Sequence, residues 1–134
     1  MTAYVDASAL LKRYIAEADS ELAQQLVSAD PVLVTSWVTV IEVRRNLARV
    51  FSGSALARRH EVAEADFDGM ALVACDPAVC VAAAAVAETL GVRSLDAIHL
   101  ASAQRLMIAD LSFVTFDLRQ GQAARTLGMH VLGC

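Results

Sequence analysis

The chain has 134 residues, of which 57% are hydrophobic and 19% charged, and its formal net charge is −4. This length predicts one domain, residues 1–134, with a core that needs no disulfide or metal for stability. The acidic balance argues against a non-specific nucleic-acid binder that works by charge alone. No apolar run approaches the about 20 residues of a membrane span, and Asp6 interrupts any signal peptide, so we expect a cytoplasmic protein without a membrane segment.

The first half of the chain alternates β-rich and amphipathic segments. Strands are predicted at 3–5 and 32–35, and helices at 9–17, from 19 or 20 to 27, from a Thr35 or Ser36 cap to 49, and at 55–67. Ser8 is predicted to open the first helix. Asp30-Pro31 marks a turn, and Ser52-Gly53-Ser54 separates the third and fourth helices.

The second half continues the alternation. Strands are predicted at 71–74, 113–116 and 130–132, and helices at 77–90, 94–107 and 119–127. Ser94 is expected to cap its helix, with Leu95, Ile98 and Leu106 along one apolar stripe. The order of elements predicts an α/β fold, a three-layer α/β/α sandwich whose central sheet is mostly parallel. Cys75 and Cys80 are expected to be reduced and to fill the core.

Four acidic residues fall where such a sheet binds ligands. Asp6 and Asp117 directly follow predicted strands, Asp96 lies in a first helical turn, and Glu42 lies about two turns into a helix among apolar neighbours. The carboxyl ends of parallel strands meet at one edge, where open α/β sheets bind ligands. Carboxylates crowded there repel one another unless a cation compensates. Mg²⁺ or Mn²⁺ suits oxygen ligands, and the lack of paired His or Cys ligands disfavours zinc.

Each acid also has a purely structural interpretation. Asp6 and Asp117 are suited to cap the helices that follow them. Asp96 is favoured in a first turn by the helix dipole. Glu42 is spaced to pair with Arg45 on a solvated face. These interpretations do not explain why several acids converge on one edge.

Four stretches, in this order, resemble the motifs of PIN-domain ribonucleases, and the chain's size and layout are similar to VapC-type toxins of type II toxin–antitoxin modules. They are Tyr4–Leu10 (YVDASAL), Glu42, Ser94–Ala103 (SLDAIHLASA) and Phe113–Asp117 (FVTFD). The resemblance spans essentially the whole chain. It implies a PIN-like nuclease domain.

The resemblance also implies roles for particular residues. Asp6, Asp96 and Asp117 would hold Mg²⁺, Glu42 would orient water or a second ion, and these four acids would form the catalytic set. The hydroxyls of Ser8 and Thr115 would support the pocket. Many relatives carry a further acid shortly after the last aspartate, whereas positions 118–120 here are Leu, Arg and Gln, so a second metal site is in doubt.

The implied activity is Mg²⁺-dependent endonucleolytic cleavage of RNA by a metal-activated water, with Mn²⁺ as a plausible substitute. Structured RNA such as tRNA or ribosomal RNA is the substrate class that the resemblance implies. It further implies neutralisation by a cognate antitoxin and assembly as a homodimer.

Several other residues remain open between functional and structural interpretations. His99 is placed for general-base work or for packing within the core. Trp37 is suited to stack on a base or to pack against a helix. A basic cluster is compatible with RNA phosphates, an acidic antitoxin segment or a solvated helix face; it comprises Arg44, Arg45 and Arg49, with Arg58 and Arg59 nearby.

Three other interpretations compete with the nuclease. A phosphoacceptor receiver domain needs a lysine near its last strands, and Lys12 is the only lysine in the chain. An aspartyl phosphatase needs a second Asp at position 8, which is Ser. A catalytically inactive interaction module of the same fold stays open as the alternative.

Overall fold

The computed structural model describes all 134 residues, as a five-stranded sheet with seven helices. The elements in chain order are β1 (Thr2–Val5), α1 (Ala7–Tyr14), α2 (Ser20–Ala29), β2 (Val32–Ser36), α3 (Trp37–Val50), α4 (Gly53–Asp68), β3 (Ala71–Val73), α5 (Pro77–Leu90), α6 (Ser94–Arg105), β4 (Ser112–Val114), α7 (Leu118–Thr126) and β5 (His130–Leu132). Every predicted strand and helix is present. Their ends differ from the predictions by one to three residues in most cases.

The sheet is parallel throughout, in the order β3-β2-β1-β4-β5. The chain therefore builds outward from β1 on one side and then returns to add β4 and β5 on the other. β1 is the central strand, and Ala3, Tyr4 and Val5 are completely buried because helices cover both faces. A strand order that reverses in this way creates a crevice at the carboxyl ends of β1 and β4.

Two hydrophobic cores lie on opposite faces of the sheet, which confirms the three-layer α/β/α prediction. Tyr4 and Phe113 point into the core formed with α5, α6 and α7. Ala3, Val5 and Val114 point into the core formed with the first four helices. This division follows from the alternation of side chains along a strand.

The largest difference at a predicted helix start concerns the caps. Asp6, not Ser8, is the N-cap of α1, and its carboxylate accepts a hydrogen bond from the Ala9 amide at 3.1 Å. Ser94 is not a cap either. It is the first residue of α6, and Arg93 occupies the cap position without a side-chain bond. Serine favours caps locally, but the tertiary position of each helix decides which residue stands there.

The predicted apolar stripe of α6 is wrong in one member. Leu95 is 45% exposed, whereas the buried residues of α6 are mostly small, including Ala97, Ala101 and Ala103. Because α6 packs closely against the alanine-rich α5 as well as the sheet, small side chains are favoured over a leucine stripe.

The prediction that Cys75 and Cys80 fill the core is also wrong, since both are exposed. Cys75 follows β3, an edge strand, and Cys80 borders an open groove between α5 and α6, beside the buried positions Val79, Ala83 and Val86 of α5. The apolar composition of α5 therefore does not mean burial on all sides. None of the helices alone is long and apolar enough to span a membrane; α5 and α6 would be so only as a pair, which is bent by 117°.

Both ends of α5 are formed as the sequence predicts. Asp76 accepts a hydrogen bond from the Val79 amide at 2.9 Å and also binds Arg105 of α6 at 3.0 Å. Gly91 ends the helix in the left-handed conformation, with φ of +69°. The Asp76 carboxylate thus fixes both the start of α5 and its pairing with α6.

We expect Asp76→Ala to lower the free energy of unfolding by about 1–2 kcal/mol, because the N-cap bond and the Arg105 partner are lost together. Urea denaturation measures the change. Asp68→Ala is the matched control, since Asp68 is the last residue of α4 and faces the negative end of that helix dipole. Equal losses in the two variants would contradict the capping role.

Candidate active site

The Asp6 carboxylate lies at the carboxyl end of β1 and is only 4% exposed. Its Oδ1 accepts hydrogen bonds from the Ser8 hydroxyl at 2.6 Å and from the Ala9 amide at 3.1 Å. Its Oδ2 accepts a bond from the Thr115 hydroxyl at 2.5 Å. Three donors therefore fix both oxygens of a buried acid.

The two hydroxyls join the end of β1 to the segment after β4. Besides binding Asp6, the Ser8 hydroxyl accepts a bond from the Phe116 amide at 2.9 Å. The Thr115 hydroxyl accepts a bond from the Asp117 amide at 3.1 Å. Each hydroxyl thus donates to the carboxylate and accepts from the β4–α7 connection, so Asp6 and Asp117 are held at the same edge of the sheet.

Asp117 and Asp96 line one open cavity of about 800 Å³. Asp117 is the exposed N-cap of α7, and its Oδ1 accepts bonds from the Arg119 and Gln120 amides at 2.9 and 3.1 Å. Asp96 is half-buried in the first turn of α6, and its side chain forms neither a hydrogen bond nor a salt bridge. It is the one acid of the group whose carboxylate is left free.

Glu42 reaches the same region from α3. Its Oε2 lies 2.7 Å from His99 Nε2, and the His99 Nδ1 lies 2.8 Å from the Tyr4 hydroxyl. His99 is 2% exposed and Tyr4 is fully buried. The expectation of a packed, hydrogen-bonded histidine is therefore met. The predicted alternative of a Glu42–Arg45 pair does not occur, because the carboxylate turns inward to His99.

Burial and mutual repulsion perturb these acids. Burial raises the pKa of Asp6, although His99 and the hydrogen bonds from Ser8 and Thr115 oppose the increase. Burial also raises the pKa of Asp96, and the negative charges of Asp117, Asp6 and Glu42 raise it further. The four carboxylates are thus close enough to repel one another. A purely structural role for each acid does not explain why the fold keeps this unfavourable repulsion.

The chemistry of this donor set fits a hard divalent cation. The acids offer oxygen ligands only, and Asp6, Asp96 and Asp117 have no basic partner to balance their charge. No three His, Cys, Asp or Glu side chains are already arranged to enclose a metal ion. Mg²⁺ is commonly held by one or two carboxylates with the remaining positions filled by water, so an open set of this kind suits it better than zinc.

The predicted basic cluster lies elsewhere. Arg44, Arg45 and Arg49 are exposed on α3, and Arg44 comes within 3.9 Å of Glu64 on α4. Trp37, the first residue of α3, is half-exposed and borders a separate cavity of about 260 Å³ between α3 and α4. None of these three arginines, nor Trp37, lines the cavity that contains Asp96 and Asp117.

Four residues at the site were missed by the sequence reasoning. Tyr4 and Gln120 are buried beside the acids, and the Gln120 amide donates to the Asp96 carbonyl at 3.3 Å. Arg93 and Arg119 line the cavity with Asp96 and Asp117. Only Tyr4 had a sequence signal, because it precedes Asp6 by two and so shares its strand face.

Comparison with known proteins shows the family to which this chain belongs. The sequence profile of the PIN domain matches residues 3–126, so the chain belongs to the PIN-domain family, as its motifs predicted. It is 33% identical over 129 residues, 96% of this chain and 95% of the relative, to ribonuclease VapC46 of Mycobacterium tuberculosis.

Two solved structures share the fold at low sequence identity. VapC20 of Mycobacterium tuberculosis, a toxin that cleaves the sarcin–ricin loop, matches with a TM-score of 0.70 and 18% identity over 90% of this chain and 94% of that one. A toxin–antitoxin complex from Klebsiella pneumoniae matches with a TM-score of 0.67 and 17% identity over 86% of each chain. These likenesses establish the PIN-like α/β architecture.

We expect Asp96→Asn to stabilise the metal-free protein at pH 7 by up to about 1 kcal/mol, the scale of screened interactions between partly exposed charges. Because the pKa of Asp96 is higher in the folded chain than in the unfolded one, the folded chain binds more protons between the two values, and stability falls as pH rises through that interval. The gain in Asp96→Asn should therefore disappear below about pH 3, where the carboxyl is protonated in both states.

Urea denaturation at a series of pH values measures this difference. Asp110→Asn, an exposed acid away from the cavity of Asp96, serves as the control and should change little. A gain that is absent, or that does not depend on pH, would show that Asp96 is not subject to the proposed repulsion.

Proposed function

We propose that residues 1–134 form one endoribonuclease domain that requires Mg²⁺, or Mn²⁺ in its place, and that acts in the cytoplasm as the toxin of a toxin–antitoxin pair. The observation that carries the proposal is the convergence of Asp6, Asp96 and Asp117 at one edge of the sheet without a basic partner. Membership of the PIN-domain family and 33% identity to a ribonuclease support the same reaction.

The proposed metal ligands are Asp6, Asp96 and Asp117. A bound divalent cation would lower the pKa of a water molecule and stabilise negative charge on the phosphoryl oxygens. Asp6 is suited to this role because three donors fix its carboxylate, and Asp96 because its oxygens have no other partner. We assign Glu42 to orient the attacking water through Oε1, because its other oxygen, Oε2, binds His99.

The substrate is proposed to be RNA, with structured tRNA or ribosomal RNA as the class. Arg93 and Arg119 line the cavity together with Asp96 and Asp117. Arginine binds phosphate through paired hydrogen bonds, so these side chains are suited to hold the strand on either side of the cleaved bond. Arg119 lies near the position where many relatives carry an acid. A positive side chain in place of that acid favours contact with phosphate over binding of a second metal ion.

An antitoxin is the proposed protein partner. Trp37 and Ile41 are 52% and 69% exposed on α3, and the cavity between α3 and α4 is lined by Phe67 and Leu72. Exposed aromatic and aliphatic side chains bordered by arginine form the surface that an amphipathic segment with acidic residues would bind. We propose that the antitoxin's acidic residues contact three arginines of α3, namely Arg44, Arg45 and Arg49. The alternative is that these arginines contact RNA.

A homodimer is the second assembly we propose. The outward face of α5 carries Val81, 72% exposed, together with Ala78, Ala82 and Ala85. A flat face of small apolar side chains permits close approach of a second copy, and its burial would remove apolar surface from water.

The first experiment is incubation of total cellular RNA with the purified protein, freed of any bound antitoxin, in Mg²⁺, in Mn²⁺ and in EDTA. We expect discrete fragments that require the cation. Asp6→Ala and Asp96→Asn should lower the cleavage rate at least about 100-fold, because each removes a ligand of the proposed metal. Asp110→Asn, which lies outside the cavity, should cleave as the wild type does.

Mapping of the fragment ends then identifies the RNA and the sequence that is cut. Absence of cleavage in every condition, from a protein whose circular dichroism shows intact helices, would contradict the nuclease and favour an inactive interaction module. Cleavage that persists in EDTA or in Asp96→Asn would contradict the metal assignment alone.

We expect Arg119→Ala to raise KM about tenfold and to weaken the salt dependence of KM, because one phosphate contact is removed. Cleavage at several salt concentrations measures both effects. Arg58→Ala, an exposed arginine on α4 away from the cavity, is the matched control. An equal change in both variants would mean that net charge, and not contact at the cavity, determines RNA affinity.

A further inference from the structure

A buried chain of hydrogen bonds links Tyr4, His99 and Glu42 across three elements of the fold. It joins β1, α6 and α3 through contacts of 2.8 and 2.7 Å. Each of these elements contributes one acid to the site or to its margin, namely Asp6 at the end of β1, Asp96 in α6 and Glu42 itself in α3.

This chain of hydrogen bonds lies on the core side of the acids. Tyr4 precedes Asp6 by two residues on a strand, and His99 follows Asp96 by three residues on a helix, so each shares a face with its acid. The buried ring of His99 therefore lies on the core side of the site.

The bond to His99 is the only one that the Glu42 carboxylate makes. A glutamate has several rotatable bonds, and its carboxylate is distributed among rotamers unless a partner selects one. Glu42 keeps about a fifth of its side-chain surface exposed, so nothing but this bond and local packing restrains it.

The carboxylate of Glu42 determines which role His99 Nε2 has in its hydrogen bond. A carboxylate accepts and does not donate, so His99 Nε2 carries a proton towards Glu42. The Tyr4 hydroxyl lies 2.8 Å from Nδ1 and holds the opposite side of the ring. The Tyr4 ring is in turn stacked on Phe113, with ring centres 5.2 Å apart. Tyr4 and His99 are thus buried and packed, and only the Glu42 end of this hydrogen-bond chain is partly exposed.

We infer that His99, oriented by Tyr4, is a positioning residue that fixes the Glu42 carboxylate for the cleavage reaction. The inference rests on the nuclease function proposed above, but the hydrogen-bond arrangement itself is independent of that function. A histidine that only filled the core would affect stability without affecting turnover selectively.

Two conservative variants separate the two ring nitrogens. In His99→Gln the side-chain amide reaches the place of Nε2 and retains a donor to Glu42, whereas in His99→Asn it reaches the place of Nδ1 and keeps only the Tyr4 contact. We expect His99→Asn to lower kcat about 10- to 100-fold with KM within about twofold, since loss of an orienting partner has effects of this size. His99→Gln should stay within about threefold of the wild type.

Tyr4→Phe and His130→Asn complete the kinetic series. Tyr4→Phe removes only the hydroxyl that orients the ring, and it should lower kcat by less than His99→Asn does. His130→Asn makes the same substitution at an exposed position on β5 and should leave cleavage unchanged. Equal kcat in the Gln and Asn variants of His99, or a loss that appears in KM instead, would overturn the positioning role.

A second readout does not depend on activity. Nitrogen-15 NMR of the imidazole groups should show the His99 proton on Nε2 in slow exchange with water, and Glu42→Ala should bring it into fast exchange. A proton found on Nδ1 with Nε2 bare would overturn the inference. If the wild type cleaves no RNA, the proposed function fails, while this spectrum still decides whether His99 holds Glu42.

Discussion

The buried carboxylate of Asp6 is the constraint on which the rest of the site depends. It accepts bonds from the hydroxyls of Ser8 and Thr115 and from the Ala9 amide, so one side chain caps α1 and ties the end of β1 to the segment after β4. A carboxylate removed from water is costly unless such donors surround it. These donors come from the segments that directly follow the adjacent parallel strands β1 and β4. The arrangement therefore lies where the strand order reverses, and the other acids are brought to the same place.

The same arrangement explains why a structural role for each acid is insufficient. Asp6 and Asp117 do cap helices, as their positions allowed, and Asp96 does lie in a first turn. Helix caps are ordinarily exposed and separate, however, whereas burial and neighbouring charge raise the pKa values of Asp6 and Asp96. The caps therefore hold the carboxylates in place, and the repulsion among them is the feature that a bound cation would relieve.

Polar groups behind the acids extend this organisation into the core. Tyr4 and His99 would be unremarkable within an apolar face, yet both are paired, and the pairing ends at Glu42. Fully satisfied buried networks of this kind select one conformation of the residues that they contact. The surfaces proposed for an antitoxin and for a second copy lie on α3, α4 and α5, and the side chains named for them do not line the cavity of Asp96 and Asp117.

The sequence by itself determined the order of elements, the parallel three-layer sandwich and the placement of Asp6 and Asp117, because strand and helix patterns and strand-end acids depend on residues near in the chain. Only the tertiary structure decided that Leu95 and Cys80 are exposed, that Asp6 and not Ser8 caps α1, and that Arg93 and Arg119 border the cavity. The bonds of His99 to Tyr4 and Glu42 join residues 95 and 57 positions apart. Such contacts depend on how α3 and α6 pack against the sheet, and local pattern carries no information about that packing.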